Sequence, residues 1–394
     1  MILIDSKQDI SSLGIITASF LIGIGVFQVP AGILAAKYSP KKIAISGIMI
    51  LSVASFLSGL VTELFQMVVL RFLVGVGMAL FFGPSVILIS TYLGKGSEGL
   101  GMGILNSAHS LGGIIGLFGW IIIAQIVGWR ASLMISGILG IISGLFLIHG
   151  LRQKKHQQDK DKNYRQPHHI LYNDLKPPDQ NHKEQKIHQQ DFKVKLSDLK
   201  LVLINKSMII VGLSLLGVQI GWNLVSTFIV LFLKNNLHVD PSFAGLIGGL
   251  ALIFNVIFAP IFGRIYDRTT KIHNSNRGSL LLLLCGIFIS VNIVFFSLEN
   301  TYIIVLSIVM IGIFASGGFV IPYTKAREIS LLKLKQPHYE TLAVSFVNGL
   351  SLLGAFWVPL LFSNIVKYFD YPVAWLVGGV LTLIFIIPIV KLKI

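Results

Sequence analysis

Two ionisable side chains lie inside long apolar stretches of this sequence. Arg71 stands near the start of one stretch, and His109 stands near the middle of the next. Charged or polar groups are costly in such surroundings, so they usually face protein or a water-filled cavity. Histidine titrates near neutral pH and suits a proton relay. An arginine with no acidic partner in these stretches suits an anionic ligand, so both residues are candidates for contact with a substrate or a proton.

Each of these residues also has a structural alternative. Arg71 could extend to the lipid headgroups or serve the packing of its own helix. His109 could be a neutral imidazole that is hydrogen-bonded between two helices.

Uncharged polar residues recur at helical spacing in the same stretches. Asn106-x-x-His109 and Asn348-x-x-Ser351 each place two polar side chains three residues apart, on one helix face. An amide beside an aromatic ring suits contact with a small molecule, and hydrogen bonding between helices is the alternative. Tyr323 is a candidate for a gate. A further set shares one stripe through spacings of three, four and seven: Gln219, Trp222, Asn223 and Ser226.

Several chemistries have no residues to support them. Cys285 is the one cysteine, so a disulfide framework and a thiolate zinc cluster are excluded. No phosphate-binding loop and no nucleophile set is visible. The histidines of segment 152–206 are irregularly spaced, which favours a polar linker of biased composition over a metal site. We therefore predict no enzyme activity, no cofactor and no metal centre. These histidines are His156, His168, His169, His182 and His188.

The composition indicates that these residues lie in membrane-spanning helices. Of the 394 residues 54% are hydrophobic and 12% are charged, against about 25% charged in soluble domains. Apolar blocks of the length that crosses a bilayer as a helix recur along the chain. The predicted fold class is an all-α polytopic membrane protein. Its spans are 11–35, 42–62, 66–93, 99–127, 130–151, 207–233, 242–263, 279–298, 301–324, 341–366 and 371–390.

The basic residues predict the orientation of these eleven spans. Of the 32 Lys and Arg residues, 27 flank the helices on one side, four flank them on the other, and Arg71 lies within a span. Basic loops stay in the cytoplasm, so residue 1 is expected outside, and the C-terminus and segment 152–206 inside. The net charge of +15 then reflects the membrane topology of the chain and does not indicate nucleic-acid binding.

Segment 152–206 divides the chain near its middle. It is rich in Lys, His, Gln and Asp, which predicts a basic cytoplasmic linker with little structure. A short amphipathic helix on the membrane surface is expected at about 191–201. The predicted domains are a bundle of five spans at 1–151, the linker at 152–206, and a bundle of six spans at 207–394.

Two turns carry a similar motif. The first has Gly32, Lys37, Lys41 and Lys42, and the second has Gly263, Asp267 and Arg268. With Ala36 in place of the acid in the first copy, both resemble the signature Gly-x-x-x-Asp-Arg/Lys of the major facilitator superfamily. The order of further glycine patterns agrees with this resemblance: Arg71-x-x-x-Gly75-x-Gly77, Gly112-Gly113-x-x-Gly116 and Gly128-Trp129-Arg130.

The resemblance implies two halves of six helices around a central cavity. The present first span then aligns with the family's second helix, and we expect an in-frame apolar segment upstream of this start. The resemblance also implies that Gly32, Lys37, Gly263, Asp267 and Arg268 act in gating. Asp267 is expected to contact the start of span 99–127, near Gly99 to Gly103. Close helix packing is expected at Gly75, Gly77, Gly112, Gly113 and Gly116.

The expected function is a secondary active or facilitative transporter of a small solute that works by alternating access. Proton coupling and an organic or inorganic anion as solute are the finer expectations. A proton-coupled multidrug exporter is one alternative, although it would usually need a carboxylate in the membrane. A transport-inactive sensor or scaffold is an alternative of another class. The expected setting is a monomer in the plasma membrane, with lipid, solute and protons as partners.

Overall fold

A computed structural model describes residues 10–93, 96–116, 120–164, 196–272, 276–333 and 339–392 of the protein. Thirteen α-helices occupy these ranges, and ten of the helical segments are long and apolar enough to cross a membrane. The helices are α1 Ile10–Tyr38, α2 Pro40–Ser58, α3 Leu64–Leu93, α4 Glu98–Ile114, α5 Trp120–Tyr164, α6 Leu196–Leu203, α7 Lys206–Asn235, α8 Pro241–Ile272, α9 Asn276–Val294, α10 Thr301–Glu328, α11 Glu340–Ala355, α12 Val358–Tyr368 and α13 Tyr371–Ile386.

Local sequence sets several of these boundaries. The Asn205 side chain accepts from the N–H groups of Ser207 and Met208 at the start of α7. Asn300 caps α10 in the same way, and the Asp370 carboxylate accepts from Val373 N–H in α13. Asparagine and aspartate are favoured at this position because they satisfy N–H groups that have no partner within the helix.

The structure bends close to the predicted end of span 99–127. α4 has 17 residues and ends at Ile114, followed by a π-turn at residues 115–116. α5 begins at Trp120 and runs through a kink at Gly128, where φ is +82°. Only glycine adopts this conformation readily. The kink lies between the predicted spans 99–127 and 130–151.

The linker prediction is corrected at one end. α5 continues to Tyr164, so residues 152–164 are helical where an unstructured segment was expected. A short helix, α6, is present close to the expected amphipathic segment. Of the linker histidines, His156 lies in α5, and the other four lie outside the described residues.

The helices pack as two groups. In the first, α3 packs against α1 and α2, and α2 packs against α5. In the second, α10 packs against α8 and α9, while α7 packs against both α11 and α13. In the described part of the first group no helix packs closely against both α4 and α5. Accordingly, 17% of the apolar window of α5 is buried, compared with 67% in α7.

The two groups meet along two seams. One seam joins α4 to α8, and the other joins α1 to α11. Glycines permit close backbone contact in both seams. A Cβ at Gly263 would collide with the backbone of Gly99, and a Cβ at Gly32 would collide with the backbone of Leu342. These contacts lie at one end of the bundle, which also carries the exposed residues Lys37 and Arg268. We call it the basic end.

Candidate functional site

A cavity of about 220 Å³ lies between the two groups of helices. Six helices line it, namely α1, α3, α4, α7, α10 and α11. The structure brings together six of the ten residues that the sequence singles out for substrate or coupling contact. They are Asn106, His109, Gln219, Trp222, Tyr323 and Asn348.

A hydrogen-bonded cluster of amides forms the cavity wall at the α4–α8 seam. The Asn106 Nδ2 donates to Asn255 Oδ1 at 2.7 Å, and the Ser110 hydroxyl donates to the same oxygen at 2.9 Å. Asn255 in turn donates to the Gly312 carbonyl of α10 at 3.5 Å. Asn255 is 1% exposed. This buried amide therefore ties three helices together, and it joins the two halves of the molecule.

A second polar pair lies on the opposite wall. The Tyr323 hydroxyl of α10 donates to Asn348 Oδ1 of α11 at 2.7 Å. The Tyr323 ring also meets the edge of Phe82 from α3, with ring centroids 5.2 Å apart. Tyr323 therefore uses its hydroxyl within one half and its ring against the other, which suits the gate position that the sequence suggests.

Gln28 is a lining residue that the sequence analysis missed. It lies in α1 and is fully buried, and neither of its amide atoms has a hydrogen-bond partner among the described residues. Its Cβ lies 3.1 Å from where a Cβ on Gly349 would stand, so it borders the α1–α11 seam. An uncharged amide in the middle of an apolar span is itself a signal of function, and this signal could have found Gln28.

Aromatic rings cover the remaining walls. Trp222 of α7 meets Phe319 of α10 edge to face at 5.8 Å between centroids. Phe20 and Phe82 contribute from the first half. The cavity thus combines apolar surfaces with a few amides, which is the usual composition of a site for a small organic ligand.

Four of the predicted residues lie outside the cavity lining. Arg71 is on α3, seven residues from the lining residue Met78, which is about 10 Å along a helix. Its Nε is buried without a hydrogen-bond partner. Asn223 is half-buried on the face beside Trp222, and Ser226 is exposed. The Ser351 hydroxyl turns back to donate to the Asn348 carbonyl at 2.8 Å. Helical spacing identified the helices that line the cavity. It did not predict which of their residues face the cavity or how deep in the helix those residues lie.

Asp267 lies at the basic end, where the sequence places its contact with the start of the fourth span. Its carboxylate accepts from the backbone N–H of Gly99 at 2.7 Å and of Leu100 at 2.9 Å. The residue before α4, Ser97, makes no side-chain cap. Asp267 therefore caps a helix of the other half, where the helix dipole also favours a negative charge.

The first copy of the motif is built differently. Gly32 packs against Leu342 near the start of α11, but Ala36 offers no carboxylate there. The start of α11 has no side-chain cap. Instead, Arg327 of α10 donates to Glu340 of α11 and lies 3.7 Å from Glu98 of α4. Lys37 and Arg268, the basic members of the motifs, are exposed.

The packing glycines divide into two kinds. Gly75 meets the backbone of Phe20, and Gly77 meets Leu51, so both permit close approach as expected. A Cβ on Gly112 would meet nothing within 4 Å of described atoms, and one on Gly113 would make an ordinary contact. The expected packing face of α4 is therefore corrected, because Gly99 and Gly103 form its contact with α8. Gly116 lies in the π-turn.

The described residues contain no group of three or more His, Cys, Asp or Glu side chains placed to hold a metal ion. The described residues thus form a largely apolar cavity with a few amides between two helical groups, with a hydrogen-bonded closure at one end.

Comparison with known proteins assigns this architecture to a family. The sequence model of the Major Facilitator Superfamily matches residues 2–326 and, in a second match, residues 211–393. The chain belongs to the Major Facilitator Superfamily. Solved structures show the same fold. The E. coli fucose:proton symporter FucP has a TM-score of 0.67 at 13% identity, over 96% of this chain and 90% of that one. The predicted all-α fold of this superfamily is confirmed.

Curated relatives of this superfamily member match it over shorter stretches. The probable sulfoacetate transporter SauU of Cupriavidus necator is 29% identical over 131 residues, which is 33% of this chain and 30% of SauU. The 4-hydroxybenzoate transporter PcaK of Pseudomonas aeruginosa is 26% identical over 140 residues, or 36% and 31% of the two chains. The matched stretches thus span about a third of each relative.

Proposed function

We propose that this protein carries a small solute across a cell membrane by alternating access, and that the cavity between its two halves is the solute site. The observation that carries the proposal is the position of the cavity. It lies where the halves meet, and polar groups from both halves line it. A site of this kind becomes accessible from each side in turn when the halves rock against each other.

The basic end is proposed to face the cytoplasm. It carries exposed basic residues such as Lys37 and Arg268, which belong to the 27 of 32 Lys and Arg residues that the sequence assigns to one side of the membrane, and basic loops are retained inside. The Asp267 cap and the Arg327 contacts then act as the inner closure. The halves correspond to residues 1–151 and 207–394, joined by the linker, and one chain suffices for the site.

Proton coupling through His109 is a finer part of the proposal. Among the described lining residues, His109 is the one whose ordinary titration range is near neutral pH. It also lines the cavity, so a proton that enters the cavity can reach it. A multidrug exporter would need an acidic group in this cavity, and the described lining residues include none.

Uptake by proteoliposomes tests the proposed function. Sulfoacetate, 4-hydroxybenzoate, hexoses and hexose phosphates are offered together with neutral analogues of each. We expect at least one solute to enter faster than into protein-free liposomes. Leu352→Trp, which fills the cavity, should abolish this uptake, while Leu360→Trp on an exposed face of α12 should not. Uptake that is equal in protein-free liposomes, or unchanged by Leu352→Trp, would reject the cavity as the transport site.

A further inference from the structure

The unpaired amide of Gln28 indicates the chemistry of the missing ligand. Both its Oε1 and its Nε2 are buried without a partner, although the side chain borders the cavity. Buried polar atoms nearly always have partners, and an exception calls for an explanation such as a ligand or water. An amide offers an acceptor and two donors. A hydroxyl or an amide on the solute can pair with both atoms, whereas a carboxylate or phosphate can pair only with the Nε2.

The charge of the lining supports the same conclusion. None of the described lining residues is Lys, Arg, Asp or Glu. The cation that the sequence offers for an anion, Arg71, is not among the described lining residues. While the His109 imidazole of the lining is neutral, a charged solute would have to leave water without a compensating charge from the described lining, which is strongly unfavourable in surroundings of low polarity. In that state the described lining disfavours anions and cations alike.

The shape and size of the cavity complete the description. The space of about 220 Å³ is smaller than the roughly 300–1,000 Å³ of typical ligand pockets, which favours a small solute. Amides from α1 and α7, Gln28 and Gln219, line it together with the rings of Trp222 and Phe319. A matching solute has hydrogen-bonding groups and a compact apolar face that packs against these rings.

From these observations we propose that the transported solute is uncharged, a small neutral compound with hydroxyl or amide groups that pair with Gln28. This inference rests on the proposed function, since it describes the solute of the same cavity. It also separates this chain from the relatives that are named for sulfoacetate and 4-hydroxybenzoate, both of which are anions.

Thiol labelling can measure the charge preference of the cavity before any solute is known. The native Cys285 is fully buried and lies outside the lining, so Cys285→Ala gives a cysteine-free background. One cysteine is then introduced by Leu352→Cys in the lining, or by Tyr302→Cys at a site that is 87% exposed. The probes are three methanethiosulfonates with the same ethyl linker: hydroxyethyl, sulfonatoethyl and trimethylammonium-ethyl.

We expect the neutral reagent to modify the cavity cysteine at least tenfold faster than either ionic reagent, after each rate is divided by its rate at position 302. A ratio below tenfold for the anionic or the cationic reagent would overturn the inference. Leu105→Cys, also in the lining, is measured in parallel, so that one poorly folded variant does not decide the result. Resistance of both cavity cysteines to all three reagents would overturn the inference as well, because no solute could then reach the site.

A matched pair of solutes distinguishes failure of this inference from failure of the proposed function. Uptake of 4-hydroxybenzyl alcohol is compared with uptake of 4-hydroxybenzoate, which differs mainly in charge. We expect faster uptake of the alcohol than of the benzoate. In Gln28→Leu this preference should be lost. Faster uptake of the benzoate would refute the neutral class while transport itself stands. Neutral preference in labelling without uptake of any compound would refute transport while the character of the cavity stands.

Discussion

Asp267 of α8 caps Gly99 of α4 across the boundary between the two halves, at 2.7 Å between the carboxylate Oδ1 and the backbone nitrogen. A second bond to Leu100 N–H at 2.9 Å uses the other carboxylate oxygen. Most helix caps are local in sequence, but here the cap and the helix are 168 residues apart. Each time the basic end opens, two charge-assisted hydrogen bonds must therefore break.

The first prediction concerns this cap. Asp267→Ala should favour conformations that are open at the basic end by up to about 2 kcal/mol, because loss of a helix-capping side chain costs about that much. Spin labels at Leu93 and Arg264, both exposed, report the separation of the halves there. We expect a larger population at long distance. Ile261→Ala, at an exposed position on the same helix, is the control and should leave the distribution unchanged. Equal distributions in Asp267→Ala and the parent would refute a gating role.

A second prediction follows from the unequal motif copies. Ala36→Asp should supply the carboxylate that the α1–α11 seam lacks, near the uncapped start of α11. A carboxylate at a helix N-terminus contributes about 1 kcal/mol, so the basic end should become more closed. The same pair of spin labels should show a smaller population at long distance. Ala36→Leu adds comparable volume without a hydrogen-bond acceptor, and an equal shift in that variant would exclude capping as the cause.

Gln28 should show opposite effects on stability and on function. Gln28→Leu removes two unpaired buried polar atoms, whose burial costs about 1–3 kcal/mol. We expect a higher midpoint of thermal unfolding in detergent together with a loss of solute uptake. Asn255→Leu is the matched control, since its amide has partners on α4 and α10 and its loss should lower the midpoint. A lower midpoint for Gln28→Leu would mean that the amide already has a partner in the protein.

The two acidic neighbours of Arg327 should contribute unequally to the free energy of unfolding. Glu340 receives a hydrogen bond from Arg327, and both side chains are 13% exposed. Glu98 is 3.7 Å away and 27% exposed, so solvent weakens this pair to about 1 kcal/mol or less. We expect Glu340→Gln to lower the free energy of unfolding more than Glu98→Gln does. Denaturation followed by tryptophan fluorescence measures both, and the reverse order would contradict the geometry.

His109 should carry the dependence of uptake on a pH gradient. We expect uptake by the parent protein to rise when a proton gradient is imposed, and uptake by His109→Gln to be insensitive to it. Glutamine keeps a polar side chain of similar reach but does not titrate. The comparison is made in liposomes with and without an ionophore that collapses the gradient. A gradient effect of the same size in His109→Gln would remove this residue from proton coupling.

The helices could be predicted from the sequence because each needs only a run of apolar residues. The kink at Gly128, which lies between the predicted spans 99–127 and 130–151, agrees with these runs. In the cavity, the polar positions on α4, α7, α10 and α11 follow from helical spacing. Whether a residue of such a helix reaches the cavity depends on its rotation and depth, which only tertiary packing decides. For this reason the sequence analysis wrongly placed Arg71 and Ser226 in the cavity lining. It also missed Gln28 and Asn255.

The glycines of α4 show the same dependence on tertiary packing. Gly112 and Gly113 form the most conspicuous small-residue pattern of the sequence, whereas the contact with α8 uses Gly99 and Gly103. Both pairs have the composition that close helix packing requires. The choice between them depends on which face of α4 turns towards the other half, and nothing in the local sequence specifies that face.

The two seams differ in a way that bears on how the molecule moves. The α4–α8 seam is held by directional hydrogen bonds at Asn255 and, through Ser107, at the Val256 carbonyl. The α1–α11 seam consists mainly of glycine contacts with Leu353 and Leu342. We therefore expect the halves to pivot about Asn255 as a hinge while α1 slides along α11. The entrance would then widen first on the α1–α11 side, which lies opposite the hinge.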